Sequence, residues 1–196
     1  MRGRAQTSER SPMLGPILEG ERVRLEPPRP EYFPAYQRWF ADMEVTRYLL
    51  YRFPFTPKAE EEWLEQVGRD PNQVMWAIVL KHNGRLIGNT AIEKIDWRNR
   101  RGETGTVIGE KEEWGKGYAG ESMRLRTRYA FRELGLETVT TLVVQGNDAS
   151  RRGLERAGYR QCGLRRRYYF IDGRWHDAWQ GEILRDEWEA IQEARR

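Results

Sequence analysis

The sequence predicts a mixed α/β fold of the α+β kind, with one mostly antiparallel central sheet of about seven strands flanked by helices. Three observations predict it. Seven segments carry strand-type patterning, and two pairs of them are joined by the hairpin dipeptides Asn83-Gly84 and Asp172-Gly173. Helical stretches with one apolar face lie among them. No internal repeat and no linker divides the 196 residues, a length that suits one domain.

The elements follow in order. Residues 1–16 are basic and rich in Ser, Gly and Pro, with no apolar run behind them, so they read as a flexible tail rather than a secretory signal. The single domain then spans 17–196. Residues 18–27 alternate apolar and polar and predict a strand. After Pro27, Pro28 and Pro30, Tyr32, Tyr36 and Phe40 recur every fourth residue and predict a helix over 31–42. A second helix is predicted over 57–68, with Thr56 as N-cap and Pro57 at the first helical position. Residues 73–81 and 85–95 are strands about the Asn83-Gly84 turn, and 103–109 is another. A helix to about Leu134 follows, striped by Ala119, Met123, Thr127, Ala130 and Leu134 and ended by Gly135. The β-branched run 137–145 predicts a buried strand. A short helix over 148–157 stops at Gly158, strands over 159–170 and 174–184 flank Asp172-Gly173, and a charged helix starts at about Asp186.

Composition narrows the function. The formal charge of +4 comes from 34 basic and 30 acidic residues, a small and mixed excess that suits an anionic ligand at least as well as nucleic acid. A single cysteine, Cys162, excludes an internal disulfide framework and a cysteine zinc site, and fits a reducing cytoplasm. His82 and His176 form no metal-ligand spacing, so no metal is expected. No run of eighteen apolar residues spans a membrane. Arg165-Arg166-Arg167 on a strand reads as charge that protects a sheet edge, with contact to an anionic group of a substrate or cofactor as the alternative.

The most informative segment is Trp114-Gly115-Lys116-Gly117-Tyr118-Ala119-Gly120, between a strand and an amphipathic helix. Glycines there turn the backbone tightly and leave the amides uncovered at a helix N-terminus, where the dipole favours phosphate. Lys116 adds a positive charge. The P-loop pattern is absent. Gly115, Gly117 and Gly120 match the dinucleotide spacing, but they follow hairpin strands rather than opening a βαβ unit. On this segment alone, a plain connecting turn remains the alternative.

The segment resembles the acetyl-CoA motif of the GNAT superfamily of acetyltransferases, Arg/Gln-x-x-Gly-x-Gly/Ala, with Gly117 and Ala119 at the two small positions. Trp114 departs from the usual Arg or Gln, as in the branch of ribosomal-protein N-terminal acetyltransferases of Rim type. Asn147-x-x-Ser150, followed by Leu154-Glu155-Arg156-Ala157-Gly158-Tyr159, resembles a second family segment. The hairpin Gly173-x-Trp175-x-Asp177 with Glu187-Trp188 resembles a third. The resemblance covers residues 18–190.

The resemblance implies a sheet that splays open to admit acetyl-CoA as cosubstrate. Backbone amides of Val107, Ile108 and Gly109 would hold the pantetheine arm, and those from Gly115 to Gly120 the pyrophosphate, with Asn147 and Ser150 also at the cofactor. The implied activity is transfer of an acetyl group to a primary amine, on a protein N-terminus or a small molecule. The alternative is a non-catalytic CoA-binding or sensor domain of the same fold. Glu103, opening the CoA-holding strand, is the candidate base; a solvated strand-end carboxylate is its alternative, with Glu93, Glu110, Glu112 and Glu113 nearby. Many members place a Tyr acid where this chain has Leu154. Ser150 is then the candidate proton donor to the thiolate, beside a water relay, and it could instead help Asn147 cap the helix. The acceptor pocket implied by the fold holds Tyr48, Tyr51, Phe53, Phe55, Tyr168, Tyr169 and Trp175. The reading admits a homodimer.

Overall fold

The computed structural model describes residues 14–49 and 54–194. Their strands form one sheet of eight, in the order β1-β2-β3-β4-β5-β6-β8-β7. The extra strand arises at the start. Residues 18–27 are not continuous: β1 (Leu18–Glu19) and β2 (Val23–Glu26) pair antiparallel about a turn closed by the Gly20 N–H on the Val23 carbonyl. The end of the predicted tail is also anchored, because Gly15 N–H donates to Met75 O and the Trp76 indole donates to Pro16 O. Residues 1–13 of that tail lie outside the described residues.

β3 (Val74–Leu80), β4 (Leu86–Asp96) and β5 (Arg101–Ile108) continue the sheet antiparallel. Every residue of β3 is buried, because helices cover both of its faces. On one face Trp76, Ile78, Ile87 and Val139 meet α4 (Tyr118–Arg132), α5 (Asp148–Ala157) and α6 (Arg185–Glu193) through Phe131, Leu154 and Trp188. On the other, Ala77, Val79 and Leu86 meet Phe33, Tyr36 and Trp39 of α1 (Phe33–Ala41). A short α2 (Met43–Thr46) follows, capped by the Asp42 side chain on the Glu44 N–H. Below α1, Val67 of α3 (Pro57–Arg69) packs on Met75 and Ala91. Thr56 caps α3 as its sequence suggests, at 3.3 Å from the Ala59 N–H.

β6 (Thr138–Val144) is the one strand parallel to its neighbour β5. β8 (Arg174–Leu184) pairs along all of β6, and β7 (Arg160–Ile171) forms the far edge. The basic run Arg165–Arg167 lies exposed on that edge strand, in a stretch of irregular register where Arg167 has φ 49°. No helix among the described residues is long and apolar enough to cross a membrane.

Candidate active site

β5 and β6 pair only over Arg101–Glu103 and Thr138–Thr140. Beyond that, β5 follows β4 as far as Ile108 while β6 follows β8 as far as Val144, so a wedge opens between them. Two hydroxyls close its apex: Thr104 Oγ1 donates to Thr140 O and Thr141 Oγ1 to Thr104 O, both at 3.0 Å.

The β5 backbone is therefore unpaired on its wedge side. Along an antiparallel strand the direction of N–H and C=O alternates from residue to residue. Gly109 N–H donates to Ile87 O on β4 at 2.9 Å, which fixes the phase. The register between Gly88↔Ile108 and Glu93↔Glu103 is unbroken, so Val107 and Gly105 also face β4. The even-numbered residues face the wedge, as the bonds to the carbonyls of Gly102, Thr104 and Ile108 agree. The open-edge donors are thus the amides of Thr106 and Ile108. Of the expected trio Val107, Ile108 and Gly109, only Ile108 turns its N–H to the opening. Gly109 instead makes room for Trp39: a Cβ there would lie 1.9 Å from the indole.

Past β5, residues Lys111–Glu113 make a single 3-10 turn and the glycine segment begins. The Trp114 indole donates to Ile108 O at 2.7 Å. Gly117 is the N-cap of α4 and has φ 86°, a left-handed conformation that side chains resist. No side chain caps this helix, and the first intrahelical bond to its N-cap carbonyl comes from Glu121 N–H. The amides of Tyr118, Ala119 and Gly120 are left for an anion, beside Gly115 and Gly117. Lys116 does not point a free cation there: its ammonium bonds Glu113 at 2.8 Å. Arg22, which no local pattern singles out, reaches the segment from the turn that leads into β2. It donates to Lys116 O at 3.0 Å, pairs with Glu121 and lies 4.9 Å over the Tyr118 ring.

Across the wedge, the Asn147 side chain accepts from Ser150 N–H at 3.3 Å and so caps α5. The Ser150 hydroxyl caps nothing and makes no bond to another described residue. Leu154 is buried in the core. Tyr48 reaches the same loop, its hydroxyl 3.3 Å from Gly146 O.

Glu103 stands directly across from Glu93 in the β4–β5 register and holds Lys94 at 2.7 Å. Glu93 is reachable by solvent, yet protein surrounds it closely enough for desolvation to raise its carboxyl pKa. Lys94 and Arg126 oppose that rise and Glu103 reinforces it. Tyr168 and Tyr169 approach from β7, with rings 4.9 Å apart in an edge-to-face pair, near enough for Tyr168 to act on Lys94 and Glu103 on Tyr169. Phe55 packs on Phe40, and Trp175 pairs with Phe170 on the exposed hairpin. Tyr51 and Phe53 lie outside the described residues. Among the described residues no three His, Cys, Asp or Glu side chains gather as a metal site.

Residues 22–160 match the acetyltransferase (GNAT) domain family. The chain is 27% identical over 175 residues to "Uncharacterized N-acetyltransferase p20" of Bacillus licheniformis, covering 87% of this chain and 97% of that one. It is 34% identical over 110 residues to "Putative ribosomal N-acetyltransferase YdaF" of Bacillus subtilis, covering 56% and 60%. The fold matches that of a spermidine N-acetyltransferase from Vibrio cholerae solved with CoA and spermine, with a TM-score of 0.80, 19% identity, and coverage of 87% and 99%. A sheet opened between β5 and β6, a glycine turn at the head of α4 and these likenesses agree: the chain belongs to the GNAT family of acetyl-CoA-dependent N-acetyltransferases.

Proposed function

We propose that this chain acetylates a primary amine, on a protein N-terminus or a small molecule, by direct attack of the amine on the thioester of acetyl-CoA. The observation that carries the reading is the unpaired wedge edge of β5 running into the uncapped start of α4. An amide-bearing pantetheine arm adds to such an edge as a further strand, here on Thr106 and Ile108. The diphosphate is then received by the α4 amides and the nearby Arg22.

The chain's own groups supply the rest. The amine must be neutral, and an α-amine with a pKa near 8 needs less help than a lysine near 10.4. Glu93 is better suited than Glu103 to take its proton, directly or through water: its raised pKa suits a base, while Glu103 is committed to Lys94. As the C–N bond forms, the carbonyl electron pair moves to oxygen and is met by the wedge-side amides. When the C–S bond breaks, the thiolate takes a proton from the Ser150 hydroxyl, which water replenishes. The Glu93 and Glu103 carboxylates, beside the closed end of the wedge, favour a cationic acceptor. YdaF and the spermidine enzyme bear names that fit the two acceptor classes.

The test is a panel of N-terminal peptides and polyamines with acetyl-CoA, read by thiol release. Acetyl-CoA should also raise the melting temperature, by about 2.7 kcal/mol of stabilisation at a hundredfold excess over Kd, and NAD should not. Melting that responds to acetyl-CoA with no thiol released by any amine would overturn the transferase reading for this chain.

A further inference from the structure

Arg126 of α4 is 1% exposed, and no carboxylate pairs with it among the described residues. A guanidinium cannot shed its proton, so the fold keeps a whole positive charge out of water with no carboxylate in contact with it; Glu93 acts on it only from beyond ion-pair distance. Its partners are neutral oxygens. Nη1 donates to Thr90 Oγ1 at 2.8 Å, to Thr106 Oγ1 at 2.7 Å and to the Gly105 carbonyl at 2.8 Å. Nη2 lies 3.4 Å from the Tyr159 hydroxyl, and Nε has no hydrogen-bond partner among the described residues. Such a charge costs several kcal/mol to bury unless negative charge meets it.

The position says where that negative charge forms. The Gly105 carbonyl that Arg126 holds belongs to the same peptide group as the Thr106 N–H. The carbonyl faces β4 and the N–H faces the wedge. A cationic donor on the oxygen end of an amide draws electron density from its nitrogen end and makes that N–H a stronger donor. Thr90 Oγ1, 2.9 Å from the same carbonyl, adds to the pull. We propose that Arg126 is a positioning residue for acetyl transfer: through the Gly105–Thr106 peptide group it strengthens the Thr106 N–H that receives the oxyanion, and its buried charge is compensated as that oxyanion forms. The device gains from low dielectric and needs no rearrangement at the moment of reaction. Sequence inspection gives no warning of it, since position 126 sits on a helix whose stripe is otherwise apolar and small.

The inference rests on reading the wedge as the thioester site, and the experiment separates the two. Acetyl-CoA labelled with carbon-13 at the carbonyl gives a thioester stretch that isotope-edited infrared difference spectroscopy resolves in the complex. In the wild type the band is expected below its position in free acetyl-CoA. Arg126→Gln keeps a donor but no charge, and should return the band most of the way. Arg126→Lys should keep a larger part of the shift. In Arg126→Gln kcat should fall about tenfold or more while KM for acetyl-CoA moves less than about threefold. Arg126→Met repeats the test if the Gln variant does not fold. Hydrogen exchange at the Thr106 and Ile108 amides reports the site independently. If acetyl-CoA leaves both amides unprotected in the wild type, the wedge is not the thioester site. If they are protected, but the band is unshifted in the wild type or equally shifted in the neutral variants, Arg126 only braces α4 against β4 and β5 and the inference is overturned.

Discussion

The Trp114 indole N–H sits 2.7 Å from the Ile108 carbonyl and closes the chain from the end of β5 to the start of the glycine turn. That bond gives the tryptophan a role at a position where the family motif carries Arg or Gln: it fixes the spacing between the β5 edge donors and the α4 amides. Trp114 is 40% exposed, so Trp114→Phe should leave the fold intact. Losing the hydrogen bond should weaken acetyl-CoA binding by about 0.5–1.5 kcal/mol, a few-fold to roughly tenfold in Kd. Calorimetric titration measures it, and an unchanged Kd would show that the loop holds its shape without the indole.

The α5 cap separates Asn147 from Ser150, and the proton transfer proposed for Ser150 can be tested apart from it. Asn147 accepts from the Ser150 amide, so the cap resides in Asn147 and not in the Ser150 hydroxyl. Asn147→Ala should cost about 1 kcal/mol of stability. Ser150→Ala should leave stability within about 0.5 kcal/mol but lower kcat more than it raises KM for acetyl-CoA. The loss could reach on the order of a hundredfold, or only a few-fold if water takes over the proton transfer. Denaturant midpoints and steady-state rates on both variants check the division; a Ser150→Ala enzyme that is destabilised yet turns over normally would reverse it.

Glu93 and Glu103 predict a pH profile with a definite sign. Desolvation by the surrounding protein raises the Glu93 pKa first of all, and the facing Glu103 charge adds to the rise. A base must be ionised to accept a proton, so kcat/KM should fall as pH drops through that raised pKa. Glu103→Gln removes a like charge and frees Lys94 to act on Glu93, so the acidic limb should move to lower pH. Lys94→Met removes an opposing positive charge and should move it to higher pH. Glu93→Gln should abolish the limb and most of the rate. Identical limbs in all four proteins would assign the base elsewhere.

Most of the fold was legible because its signals are local. Asn83-Gly84, Thr56-Pro57 and Gly158 each fix a turn or helix end within a few residues, and the elements there fall within a residue or two of expectation. The first strand was misread because Leu18 to Glu26 alternates through a turn, which hydrophobic period alone cannot detect. The turn at the head of α4 was legible because glycines mark it. The candidate site was not legible where register decides: which of Thr106, Val107, Ile108 and Gly109 face the wedge depends on a one-residue phase set by Gly109 bonding Ile87 on another strand. Arg22 and Arg126 are further cases, since each acquires its meaning from partners far along the chain.

Glu121 ties the start of α4 to the β1–β2 turn, and its charge should appear in stability. One carboxylate oxygen accepts from the backbone N–H groups of Arg22 at 2.8 Å and Val23 at 3.2 Å, and the other from the Arg22 guanidinium. Burial alone would raise the pKa, but these donors together hold it below the ordinary glutamate value. A depressed folded pKa contributes stability that is fully present above the unfolded value, about 4.3, and is lost as pH falls through the folded one. Glu121→Gln keeps the shape and an acceptor oxygen but removes the charge. At about pH 7 it should destabilise by about 1.5–3 kcal/mol, the range for hydrogen bonds to a charged group. As pH falls from the unfolded value through the depressed folded one, the wild type protonates Glu121 and loses the same advantage, so the two unfolding curves should converge. Urea midpoints for both proteins across that range make the test. A gap that stays constant into the acid range would mean that Glu121 stabilises by packing rather than by charge, and the link between the β1–β2 turn and α4 would then owe nothing to its ionisation.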